Sequence, residues 1–73
     1  MKVMLQSTTM VIQVNGVPCR IWEGRTDSDI PVQALILRVA IPEGANHAQF
    51  RAELTECVPP SEGVSAFPLR MVL

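Results

Sequence analysis

The chain has 73 residues, and its six basic and seven acidic side chains give a formal net charge of −1. This length predicts one small domain spanning 1–73, in which burial barely offsets a conformational entropy cost of roughly 1.5 kcal/mol per ordered residue. The charge balance argues against general binding of nucleic acid or anionic membrane, which needs clustered Lys and Arg. No apolar run has the length of a signal peptide or a membrane span, so we expect a cytoplasmic protein with free thiols.

A β-hairpin is predicted where Asn15-Gly16 separates two apolar runs. Both residue types tolerate the positive φ angles of a type I′ turn, which places a first strand at about residues 4–14 and a second at 17–25. With a two-residue loop, one face of the sheet carries the pairs Val14–Val17, Ile12–Cys19 and Met10–Ile21. The other face carries Gln13–Pro18, Val11–Arg20 and Thr9–Trp22.

A third strand is predicted at about residues 32–41, after a three-residue loop, Asp27-Ser28-Asp29. Such loops commonly place their last residue in the left-handed region, which Asp tolerates. The side-chain alternation then pairs Ile21 with Leu35, and it predicts two further pairs, Cys19–Leu37 and Val17–Val39.

A helix is predicted at about residues 47–57, because Asn46 suits the N-cap and Gln49 follows three residues later. Phe50, Leu54 and Cys57 form an apolar stripe that we expect to pack on the Cys19 and Ile21 face. After a Pro-rich stop, residues 66–73 alternate as a last strand, parallel to the third and placed beside either the third or the first. The predicted fold is α+β with two layers in β-β-β-α-β order: a four-stranded mixed sheet and one helix on one face.

The sheet face opposite the predicted helix is unusually apolar and holds the only Trp of the chain. Trp and Arg are enriched at binding hot spots, and a domain this small gains stability from association. The leading interpretation is therefore a non-enzymatic module that self-associates, as a two-fold dimer through this face or a strand edge, and that presents a surface to a protein or small ligand. The predicted interface comprises Val11, Arg20, Trp22, Ile36, Arg38, Arg70 and Val72.

Two alternatives remain open. An Arg and Trp sheet face could serve a nucleic-acid accessory protein, although sheet-surface RNA binders generally carry more aromatic residues and more basic charge. A small enzyme or ligand-binding protein could form its pocket between subunits, with His47 or the acidic turn at the rim. The sequence predicts no catalytic, cofactor-binding or metal-binding residue, and Cys19 and Cys57 are interpreted as two buried thiols.

Overall fold

The computed structural model describes residues 1–61 and has an α+β arrangement, a three-stranded antiparallel sheet with one helix. The sheet order is β1-β2-β3. The predicted last strand at 66–73, and with it the fourth strand of the sheet, lies outside the described residues. Within the described part of the chain, no helix is long and apolar enough to cross a membrane. The elements are β1 (Val3–Val14), β2 (Val17–Thr26), β3 (Pro31–Ile36) and α1 (His47–Leu54).

Both predicted turns are confirmed by their backbone angles. Asn15 and Gly16 have φ values of 52° and 80°, as a type I′ turn requires, and the adjacent ladder has the predicted pairs Val14–Val17 and Ile12–Cys19. Asp29 has a φ of 63°, and the backbone N–H of Thr26 donates to the Ile30 carbonyl over 3.0 Å, which closes the predicted three-residue loop. These turns set the register of β2 against both of its neighbours.

A bulge in β1 changes the predicted register beyond the first few pairs. Ser7 lies opposite Trp22 and Val11 opposite Arg20, so the residues from Thr8 to Met10 face the single residue Ile21. The predicted pairs Met10–Ile21 and Thr9–Trp22 are therefore wrong. Because the number of inserted residues is even, the alternation of side chains between the two faces is preserved.

β3 is shorter than predicted, because it ends at Ile36 and the chain leaves the sheet at Leu37. Ile21 pairs with Leu35 as predicted, but the pairs expected from Leu37 and Val39 to β2 are absent from the ladder. The departing segment instead passes over the Trp22 side of the sheet, where Val39 lines a cleft together with residues of α1.

The helix lies on the side of the sheet that the sequence predicted to be open. Phe50 and Leu54 of α1 share a cleft with Arg20 and Trp22, so the predicted packing of α1 on the Cys19 and Ile21 face is wrong. The apolar side chains around Cys19 and Ile21 had favoured packing of α1 on their own face of the sheet. The segment after β3 places Val39 in the cleft beside Trp22, and α1 follows on the same side of the sheet.

The helix begins as predicted and ends earlier. The Asn46 side chain accepts a hydrogen bond from the Gln49 backbone N–H over 3.0 Å and caps the first turn. α1 stops at Leu54, short of the predicted end at residue 57. The chain then turns back to the sheet, where Val58 forms a parallel bridge with Thr8 at the outer edge of β1.

The buried side chains lie close to the bulge. Cys19 and Ile21 are the buried apolar residues of the described chain, and Ile21 is only 1% exposed. Two polar residues, Ser7 and Thr8, are also buried, and Thr8 is fully inaccessible. The Thr8 hydroxyl donates to the Ile21 carbonyl over 2.7 Å, so this polar group stabilises the bulge from within.

Candidate functional site

A cleft between the sheet and the helix is the first candidate site. Its volume is about 220 Å³, and most of its wall is apolar. Trp22 of β2 and Phe50 of α1 supply aromatic surface, and Arg20 and Glu53 supply one charge of each sign. The cleft can therefore take a small, mainly apolar molecule with a polar group. The described residues that line it are Ser7, Arg20, Trp22, Val39, Phe50, Glu53 and Leu54.

The Arg20 side chain is held in place by the bulge. Its Nη1 donates a hydrogen bond to the Thr8 carbonyl over 2.8 Å, and the residue is half-buried. This anchor uses one of the five guanidinium N–H donors, so the group has capacity for a second acceptor. Glu53 lies near the end of α1, and its side chain is exposed. Unlike the anchored Arg20 side chain, it is free to rotate into solvent. The fixed charge of the cleft is therefore positive.

Ser7 joins the cleft to the return segment after the helix. Its hydroxyl donates to the Glu56 carbonyl over 3.2 Å and lies 3.5 Å from the sulfur of Cys57. The Val58 N–H donates to the Ser7 carbonyl over 3.1 Å, which holds the same segment through the backbone. These bonds fix the position of the C-terminal end of α1 relative to the cleft.

The predicted interface residues are divided among three environments. Arg20 and Trp22 are half-buried in the cleft, while Ile36 is half-buried at the end of β3. Val11 and Arg38 are exposed. The remaining two predicted residues, Arg70 and Val72, lie outside the described part of the chain. The described members do not form one flat patch, because Arg20 and Trp22 line a cleft whose other wall comes from Val39 and α1.

The outer edge of β3 is the second candidate site. The Thr26 N–H donates to the Ile30 carbonyl, so the Ile30 backbone points toward β2. Because the N–H and C=O groups of successive residues point alternately to the two sides of a strand, those of Gln33 and Leu35 point away from β2. Within residues 1–61, no strand pairs with this outer edge. Ile30 and Leu37 flank β3, and each is 56% exposed. Among residues 1–61, this edge thus combines backbone groups that no strand pairs with and apolar ends.

The other polar residues singled out in the sequence have local partners. The Nε2 atom of His47 lies 2.8 Å from the Glu43 carbonyl, which ties the first turn of α1 to the preceding loop. Arg25 forms an exposed ion pair with Asp29 at 3.3 Å, so this part of the acidic turn is neutralised within its own hairpin. Cys19 and Cys57 are both free thiols, of which the first is buried and the second half-buried.

The sequence did not predict that residues of α1 share a cleft with Trp22. The sequence predicts Phe50 and Leu54 on the opposite face of the sheet, whereas the structure places them in the cleft with Trp22. The available signal was weak: the long stretch from Leu37 to Asn46 can deliver a helix to either face of a sheet. No protein-family model, curated protein or solved structure matches this chain.

Proposed function

We propose that this protein is a small, non-enzymatic cytoplasmic module that self-associates as a two-fold dimer along the outer edge of β3. The single observation that carries the proposal is this edge, whose Gln33 and Leu35 amides point away from β2. Antiparallel pairing with a second copy would satisfy those groups and extend the sheet across the dimer axis.

The apolar ends of β3 support the same arrangement. Two-fold antiparallel pairing brings the Ile30 end of one copy beside the Leu37 end of the other. Both side chains are more than half exposed in the single chain, and the adjacent strand of a second copy would reduce that exposure. A dimer therefore supplies the burial that the short chain lacks.

The strand edge is favoured over the sheet face as the dimer contact. The face predicted from the sequence is centred on Trp22, which lines a cleft with Phe50 and Leu54 of α1, so a second sheet cannot pack flat against it. The formal net charge of −1 weighs against stacking of nucleic-acid bases on Trp22, since single-stranded nucleic acid binds at sites with an excess of basic charge.

The test is sedimentation equilibrium of the full chain and three variants. Gln33→Pro removes an outward N–H that β2 does not use, so the monomer should keep its fold while dimerisation weakens. Leu37→Lys should raise the dimer dissociation constant at least about tenfold, a change of roughly 1.4 kcal/mol. Val11→Lys is the matched control, because Val11 is comparably exposed on the sheet and lies away from the β3 edge.

The possible results distinguish a dimer through the β3 edge, a dimer through the sheet face and a monomer. A dimer that is weakened by Gln33→Pro and Leu37→Lys but not by Val11→Lys supports the edge. A dimer broken only by Val11→Lys would refute the edge and restore the sheet face. A wild-type chain that remains monomeric at millimolar concentration would refute self-association. Circular dichroism of each variant confirms that loss of association is not loss of the fold.

A further inference from the structure

The cleft between sheet and helix contains a fixed cation beside aromatic walls, and this combination selects a ligand chemistry. Trp22 and Phe50 both line the cleft, one from β2 and the other from α1. Arg20 lines the same space, with its guanidinium anchored to the Thr8 carbonyl. We propose that this cleft binds a small aromatic monocarboxylate, with its ring against Trp22 and Phe50 and its carboxylate at Arg20.

The size of the cleft fits a single ring with a short acidic side chain. Apolar cavities of about 150 Å³ in proteins admit benzene. The cleft offers about 220 Å³, which leaves room for a single ring and a carboxylate. A ligand of about ten non-hydrogen atoms in an open site is expected to bind with a dissociation constant on the order of 1 mM.

The charges favour an anion over a cation. The Arg20 guanidinium is half-buried and already oriented by its bond to Thr8, so little conformational entropy is lost when it binds a carboxylate. The Glu53 carboxylate is exposed and can rotate toward solvent, which reduces its repulsion of the ligand. Removal of the Glu53 charge should therefore strengthen binding, which is the opposite of what a cationic ligand requires.

The experiment titrates the full chain with phenylacetate, and with phenylacetamide and phenethylamine as neutral and cationic analogues of the same shape. The readout is the NMR shift of the Trp22 indole N–H and of the Phe50 and Leu54 amides. We expect phenylacetate to give saturable shifts. Either analogue should bind with an affinity at least about fivefold lower, because it lacks the charge-assisted contact with Arg20. Equal affinity for all three compounds would overturn the proposal, and so would the absence of saturable shifts.

A pair of variants, one in α1 and one just after it, tests the sign of the electrostatic effect without disturbing the bulge. Glu53→Gln should raise phenylacetate affinity about two- to fivefold, as expected for loss of one exposed like charge. Glu56→Gln makes the same change in net charge at an exposed residue that is not among those lining the cleft, and it should leave affinity unchanged at 0.15 M salt. Unchanged or weaker binding by Glu53→Gln would refute the assignment. The measurement is made on monomer or dimer alike, so its result is independent of the association test.

Discussion

Replacement of Gly24 by Ala should separate the N-terminal half of β1 from β2. Gly24 lies opposite Leu5 in the ladder, and a Cβ atom on Gly24 would overlap the Met4 carbonyl oxygen. The same atom would stand 2.7 Å from the Met4 carbonyl carbon and 3.0 Å from the Leu5 Cα, where ordinary contacts begin at 3.4 Å. All three obstacles are backbone atoms, so no side chain can rotate away. The strands must move apart by about 1 Å or more, a large displacement against a normal spacing of about 4.8 Å.

The expected cost follows from the pairs that this displacement disrupts. Five pairs, from Val3–Thr26 to Ser7–Trp22, lie on the affected side of the bulge. Loss of a few ladder hydrogen bonds at about 1 kcal/mol each predicts a destabilisation of about 3 kcal/mol or more. Thermal unfolding followed by circular dichroism should show a decrease in Tm of about 12 °C or more for a domain of this size.

Two other glycines provide matched controls for Gly24→Ala. Gly44 has open space around its Cα and no positive φ, so Gly44→Ala should change stability by less than about 1 kcal/mol. Gly16 also has open space, but its φ of 80° predicts a cost of about 1–2 kcal/mol from backbone strain alone. All proteins are compared at one concentration, because association shifts Tm. A Gly24→Ala protein as stable as Gly44→Ala would refute the close approach of β1 and β2.

Two further predictions concern the core and the helix cap. Ile21→Ala should lower the free energy of unfolding by about 2–5 kcal/mol, because Ile21 is 1% exposed. Leu54→Ala should lower it by about 1 kcal/mol or less, because Leu54 is 47% exposed. Urea unfolding of both variants measures the difference, and equal costs would contradict the packing. Asn46→Ala should destabilise α1 by about 0.5–2 kcal/mol, whereas Asn46→Asp should retain the capping bond. Amide hydrogen exchange across α1 should become faster in the Ala variant alone. Identical exchange in both variants would contradict the capping bond.

The features that sequence analysis predicted correctly have local causes. Asn15-Gly16, Asp29 and Asn46 each act on a backbone within three residues of themselves, through a φ preference or a short side-chain bond. Such effects are the same in any fold, so the sequence alone is enough to predict the turns, the hairpin pairs beside them and the start of α1.

The features that it missed depend on contacts between distant residues. The bulge at Thr8 is stabilised by bonds to Ile21 and from Arg20, and neither partner is close in sequence. The choice of the Trp22 face for α1 depends on the course of the chain after Ile36. Alternation of side chains indicated correctly which β2 and β3 residues share a face, but it carries no information about what covers that face. The cleft was missed for this reason.

The return of the chain to β1 determines which part of this fold forms last. Ser7 and Cys57 are 50 residues apart, whereas the first hairpin closes through Asn15-Gly16. The length-dependent part of closing such a loop costs about 3.5 kcal/mol, and a two-residue turn avoids nearly all of it. We therefore expect the two hairpins to form within microseconds and the Val58 bridge to follow them. In the native protein the same bridge should open first, which would briefly give β1 an unpaired edge at Thr8.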